Sequence, residues 1–255
     1  MPRPTQVDLI ALSEILRRQD SLVTRGQALA CGMTDPAIHL RVKRGQPWQR
    51  VLPGTYLALS GPPSANQRDM AALLYAGPVS VITGRAALRG LGISGEQPAT
   101  IDVLVPADHQ RQSRGFVVIR RTIRMPGLWV AEGERRYALA PRAVGDAARV
   151  AGSLNEARAI VAGAVQKRHC SVNLLVTELS EGPRNGSRVF RIALGEVAEG
   201  VLSVAEADFR ELILRAGLPR PEFNARLRRA DGSLLAVVDA WWAEAQVAGE
   251  VDSRE

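Results

Sequence analysis

Lysine is almost absent from this 255-residue chain: Lys43 and Lys167 are its only lysines, and arginine supplies the rest of its 33 basic residues. With alanine, glycine and valine abundant, that skew fits a GC-rich coding bias. A net charge of +7 and a pI near 10.3 are therefore weak evidence of nucleic-acid binding by themselves. Cysteine is equally scarce. Cys31 and Cys170 lie in different segments without metal-type spacing, which argues against a disulfide framework or a zinc site and for free thiols in a reducing cytoplasm. No apolar run approaches the ~18 residues of a membrane span. Residues 1–8 lack the apolar stretch of a signal peptide. The expectation is a cytoplasmic protein with no membrane contact.

What is present suits two or three modest domains, since 46% of the residues are hydrophobic. Charge is unevenly spread. Residues 1–60 carry eight basic and four acidic side chains, and residues 61–150 carry twelve and seven; residues 201–255 carry seven and ten. That split predicts phosphate contacts early and a carboxylate-rich site late. The expected segments are 1–60, 61–152, a helical connector at 153–200, and 201–255.

In the first segment, Leu9, Leu12, Ile15 and Leu16 recur at helical spacing over residues 7–18. Thr24 is placed to cap a second helix that Gly32 stops. Thr34 or Asp35 caps a third, with Pro36 in its first turn and Gly45 at its end. Residues 48–57 read as two strands around Pro53-Gly54. This is the element order of a winged helix-turn-helix. With Ile38 and Val42 facing the core, His39, Lys43 and Arg44 point outward as a cationic face for the major groove of double-stranded DNA. Arg25 and Arg50 are placed to reach phosphates. A solvated basic helix is the competing reading.

After a Gly61-Pro62-Pro63-Ser64 linker, the middle segment reads as a small α/β unit. Its expected helices are at 66–75, after Thr83, and from Pro141 toward 150; its strands are at 101–105, 116–121 and 137–140. His109 reads as solvated, and Arg120, Arg121 and Arg124 read as surface or as extra DNA contacts. The His169-Cys170 pair has no companion ligands nearby. The motifs Arg41-Val42-Lys43-Arg44-Gly45, Trp48-Gln49-Arg50-Val51-Leu52-Pro53-Gly54-Thr55-Tyr56, Thr83-Gly84-Arg85-Ala86-Ala87-Leu88 and Ala140-Pro141-Arg142-Ala143-Val144-Gly145-Asp146 resemble the AbiEi-type antitoxins of bacterial type IV toxin–antitoxin systems, over roughly residues 5–150. The resemblance implies a winged-helix autorepressor binding its own promoter, with a nucleotidyltransferase-like toxin as partner.

The last segment follows an amphipathic helix at 154–167 and a turn-rich break at 181–187. A helix over 203–216 is expected to place Phe209, Leu212, Ile213 and Ala216 on one face. Strands follow at 223–228, 234–241 and 247–252, the first two joined by Asp231-Gly232. If Trp242 lies opposite Val247, Asp239 falls opposite Glu250, with Asp252 on the same face. Facing carboxylates repel unless a cation such as Mg²⁺ or Mn²⁺ sits between them, and such a site could support phosphodiester hydrolysis. Ala216-Gly217-Leu218-Pro219, Val238-Asp239-Ala240-Trp241 and Glu250-Val251-Asp252 resemble the very-short-patch-repair-like endonucleases of the PD-(D/E)xK superfamily. That resemblance implies Asp239 and Glu250 as metal ligands and Glu206 as a helix carboxylate beside them. Asp252 stands where the family has lysine, and the family's following histidine, helix and strands are not in this sequence. The expected fold is therefore α+β: a winged helix-turn-helix, an α/β middle domain and a partial endonuclease-like α/β domain. Three functions compete: a DNA-binding antitoxin or autorepressor, a metal-dependent DNA endonuclease, and a protein-binding module. A truncated catalytic fold favours the first.

Overall fold

The computed structural model describes residues 7–199, 204–229 and 231–251, with residues 204–207 described by backbone alone. It is α+β, with two compact units, Met1–Leu139 and Ala140–Glu255.

The first unit opens with α1 (Leu9–Arg18), β1 (Leu22–Thr24), α2 (Arg25–Ala30), α3 (Asp35–Arg41), β2 (Gln49–Leu52) and β3 (Thr55–Leu57). Its boundaries follow local chemistry. Asp8 caps α1 by accepting from the Ala11 amide, and Thr24 and Gln27 form a reciprocal capping box on α2. Thr34 caps α3 through the Ala37 amide. β1 was not expected, because three residues are too few to display a period of two. It pairs antiparallel with β3, Leu22 opposite Leu57, giving the sheet order β1-β3-β2. Leu12, Val23, Ala28, Met33, Ile38 and Trp48 form the core beneath it.

The unit continues through α4 (Ala65–Ala76), β4 (Val81–Thr83), α5 (Gly84–Gly90), β5 (Ile101–Pro106), β6 (Val117–Thr122), β7 (Trp129–Glu132) and β8 (Arg135–Ala138). These strands form one mixed sheet in the order β6-β5-β4-β8-β7. β7 also escaped sequence reading, because all four of its side chains are exposed and no buried alternation marks it. The strand expected at 137–140 lies two residues earlier, since Ala140 already begins the next helix.

Residues 61–64 are not a loose linker. The Gly61 carbonyl accepts from Gln49 Nε2 at 2.6 Å, and Ser64 caps α4 in a second capping box. α4 packs against all three strands of the first sheet and against β4, β5 and β8. Two ion pairs, Arg135 with Asp20 and Arg18 with Glu134, also tie residues 1–60 to the larger sheet. His109 is half-buried rather than solvated, its Cε1 3.9 Å from where a Cβ on Gly77 would stand.

In the second unit, α6 (Ala140–Arg149), α7 (Leu154–Gln166), α8 (Val172–Glu181) and α9 (Arg188–Ala198) pack around Val144, Val161, Leu175, Phe190 and Leu194. The expected connector is thus a bundle with its own core. Arg158, largely buried, forks onto Glu196 at 2.7 and 2.8 Å. Then come α10 (Val204–Arg215), β9 (Glu222–Arg228), β10 (Leu234–Trp242) and β11 (Val247–Gly249), with sheet order β11-β10-β9. α10 departs from expectation: Ile213 is buried, but Leu212 and Ala216 are exposed. The last strand stops at Gly249, not at residue 252. Among the described residues, no helix is long and apolar enough to cross a membrane.

Candidate nucleic-acid interface

The sequence-predicted DNA residues surround α3 and the β2–β3 hairpin. His39 and Arg50, both exposed, line a shallow depression of about 410 Å³ between these elements, with Ile38 and Tyr56 also contributing to its walls. Ile38 is buried as expected. Lys43 and Arg44 are exposed, but not on the helix. α3 ends at Arg41, Val42 is its C-cap, and the two cations occupy the turn that follows. The helix ends earlier than the spacing alone suggested because the Arg41 carbonyl is taken by the Trp48 amide rather than by the next helical turn, and the β-branched Val42 adds little helical preference.

That turn is braced. The Trp48 amide donates to the Arg41 carbonyl at 3.1 Å, the Arg41 guanidinium lies 5.8 Å from the Trp48 ring centroid, and the ring itself is buried. Sequence reasoning missed this bracing role of Arg41 and Trp48 and the place of Tyr56 in the wall. A tryptophan between a cationic turn and a strand was the available signal.

Arg25 plays a different part from the expected one. At the first position of α2, its guanidinium forks onto Asp35, the first residue of α3, at 2.8 and 2.5 Å. Arg25 therefore screens the only carboxylate in the α3–hairpin wall. The side chains of Lys43, Arg44 and Arg50 make no ion pair or hydrogen bond with any described residue, leaving their charges available to an outside anion. Of the arginines on or after β6, Arg120 pairs with Asp102 at 2.6 Å, and Arg121 donates to the His109 and Arg111 carbonyls. Those two brace their own sheet and loop.

In the second unit, β10 and β11 pair Trp242 with Val247 and Ala240 with Gly249, the register expected. Continuing it by one residue brings Asp239 and Glu250 together. Partial desolvation, then the Asp239 charge and hydrogen bond, push the Glu250 carboxyl above its ordinary value. The Val251 amide donates to Asp239 Oδ2 at 2.7 Å, so this carboxylate also anchors the chain after β11. The side chain of Glu206 and all of Asp252 lie outside the described residues. Among the described residues, no group of three or more His, Cys, Asp or Glu side chains is arranged to hold a metal ion. A carboxylate pair with one oxygen already engaged is a sparse donor set for Mg²⁺, which takes six ligands, although water can complete its shell.

No protein-family model matches the chain, and no curated protein does. Among solved structures, it is similar to the crystal structure of the RV2827C protein from Mycobacterium tuberculosis. The identity is 17% and the TM-score 0.47, covering 79% of this chain and 84% of that one.

Proposed function

We propose that residues 7–60 form a winged helix-turn-helix that binds double-stranded DNA, and that the protein acts as an antitoxin-type autorepressor on its own promoter in the cytoplasm. The observation that carries this reading is the set of unpaired, exposed cations, Lys43, Arg44 and Arg50, on the α3–hairpin surface whose one carboxylate is screened by Arg25. α3 supplies the groove-reading element, the hairpin the wing, and a nucleotidyltransferase-like toxin is the proposed partner. The test is a gel shift on the DNA upstream of the protein's own gene. Binding should weaken steeply with salt as phosphate counterions are released. Lys43→Ala with Arg44→Ala should cost roughly 1–3 kcal/mol per lost contact, about 10-fold or more in affinity. Equal affinity in the double variant would move the DNA surface elsewhere.

A second reading, a metal-dependent endonuclease with a partial PD-(D/E)xK fold, is favoured by the adjacency of Asp239 and Glu250. Millimolar Mg²⁺ or Mn²⁺ should then raise the melting temperature, as any ligand specific to the folded state does, and Asp239→Asn should remove that rise. Cleavage of supercoiled plasmid should be slight, because among the described residues no third His, Cys, Asp or Glu joins Asp239 and Glu250 in a metal-holding group. Calorimetry without any divalent-ion heat would end the metal reading. Robust nicking abolished by Asp239→Ala would put the nuclease first.

A further inference from the structure

Besides the depression between α3 and the hairpin, the first unit holds a larger one, an open cleft of about 950 Å³. One wall is the start of α2 with the Pro53–Gly54 turn of the hairpin; the other is α4 with β7 and β8. Its size is that of a small-molecule site.

The lining is chemically specific. Three arginines, Arg25, Arg111 and Arg136, line it, while the one acidic residue of the lining, Glu134, is already paired with Arg18. Arg136 is under-compensated: it donates to the Pro78 carbonyl, but its Nε is buried without a hydrogen-bond partner. Burial accordingly pulls the Arg136 pKa down, with the Glu134 charge opposing. A half-buried cation short of acceptors is stabilised by an incoming anion. Flat apolar surface is present as well. Trp129 stands on β7 with 45% of its surface exposed, while Tyr75 is buried beneath the Arg111 guanidinium, 5.1 Å from its ring centroid. Leu73 completes an apolar floor.

We propose that this cleft binds a small aromatic anion, a planar ring carrying a phosphate or carboxylate group, and that the bound anion weakens DNA binding by drawing Arg25 away from Asp35. The ring stacks against the exposed Trp129, and the anionic group draws on the three arginines of the lining, Arg25, Arg111 and Arg136. The coupling follows from the double duty of Arg25, which lines this cleft while forking onto the first residue of α3. An anion that captures Arg25 leaves Asp35 as a bare negative charge on the surface meant for phosphates. Linkage is reciprocal, so DNA disfavours the ligand as much as the ligand disfavours DNA. This second half rests on the DNA-binding reading; the ligand site itself does not.

The probes are phenyl phosphate and benzoate, with inorganic phosphate and phenol as the separate halves, added to the full chain and followed by tryptophan fluorescence and thermal melting. At least one of the two ring-bearing anions should quench saturably at about 1 mM, the range open to a fragment of this size, and raise the melting temperature. Which one does so tells phosphate from carboxylate. Either half alone should bind about tenfold more weakly. Trp129→Phe should remove the quench but keep the melting shift, and Arg111→Ala, in an exposed loop, should weaken binding by about tenfold, as loss of a charge-assisted contact does. In gel shifts the ligand should weaken DNA binding by wild type and leave Asp35→Asn unaffected. Absence of any quench or melting shift at about 10 mM, or binding untouched by Arg111→Ala, overturns the site. Ligand binding with unchanged DNA affinity overturns the Arg25 coupling. Ligand binding by a protein that never binds DNA retains the site and rejects the DNA reading.

Discussion

Asp69→Ala is expected to lower the melting temperature of the first unit by about 10–20 °C, the equivalent of roughly 3–5 kcal/mol. Asp69 is fully buried on α4, where its Oδ2 accepts from the Tyr137 hydroxyl at 2.8 Å and pairs with the Arg89 guanidinium. Tyr137 is itself fully buried on β8, and Gly90 lies so close that a Cβ there would fall 2.5 Å from its ring. One carboxylate thus joins α4, α5 and β8 at the centre of the larger sheet. Removing it leaves a hydroxyl and a mostly buried cation without their partner, which costs more than the net value of the bonds. Burial pushes the Asp69 carboxyl above its ordinary value, against the Tyr137 hydrogen bond and the Arg89 charge. A carboxyl raised in the folded state contributes stability that is complete below its unfolded pKa and fades as pH rises through the folded one. The margin of wild type over Asp69→Asn should therefore shrink as pH climbs from about 4. Scanning calorimetry of both variants checks this; an alanine variant melting within ~3 °C of wild type would show that the cluster is dispensable.

The second large effect is expected in the other unit, from Gly182→Ala. A Cβ at Gly182 would overlap Nη2 of Arg149 and come within 2.8 Å of the Glu178 carbonyl oxygen. Arg149 has little freedom to give way. Its side chain is 6% exposed, bonds to Glu178 Oε1 at 3.1 Å, to the Glu178 carbonyl at 3.0 Å and to Asp146 at 3.3 Å, and stacks 5.3 Å from the Phe190 ring centroid. The backbone of Gly182, with φ of −80°, is ordinary, so the penalty is steric and electrostatic rather than conformational. Displacing Arg149 breaks its pair with Glu178, which is buried on α8 with Arg142 3.9 Å away, and a broken buried pair costs about 3–5 kcal/mol. Urea denaturation followed by circular dichroism should show that loss. A change below about 1 kcal/mol would mean that Arg149 finds another seat, within the range of ordinary surface substitutions. Arg149→Met tests the same cluster from the other side and should destabilise by removing the Arg149 bonds to Glu178 and Asp146.

Some features were legible because their causes are local. The caps at Thr24 and Thr34, the Pro53-Gly54 and Asp231-Gly232 turns, and the Trp242–Val247 register are consequences of backbone chemistry within a few residues. The facing of Asp239 and Glu250 followed from turn length and a period of two. The exposed cations of the hairpin and of the turn after α3 were visible for the same reason, since Ile38 sets which side of the helix is buried.

Other features have causes that lie far along the chain. β1 and β7 are defined by partners, β3 and β8, that supply their hydrogen bonds; neither three-residue alternation nor four exposed side chains identifies a strand without them. Arg25 was assigned to phosphate from its place on α2, but only the approach of α3 turns it onto Asp35. The large cleft joins residues from α2, the hairpin turn, α4 and β7–β8 that are more than a hundred positions apart at the extremes. Leu212 looked like core because periodicity shows which residues share a helix face, not whether anything covers that face. The sequence alone therefore determined the order of most elements, their caps and turns, and the cationic character of the first unit, because short-range sterics and hydrogen bonding act between neighbours. Tertiary structure alone decided which charges are spent on ion pairs and which remain free, because pairing depends on the distance between side chains that only packing brings together.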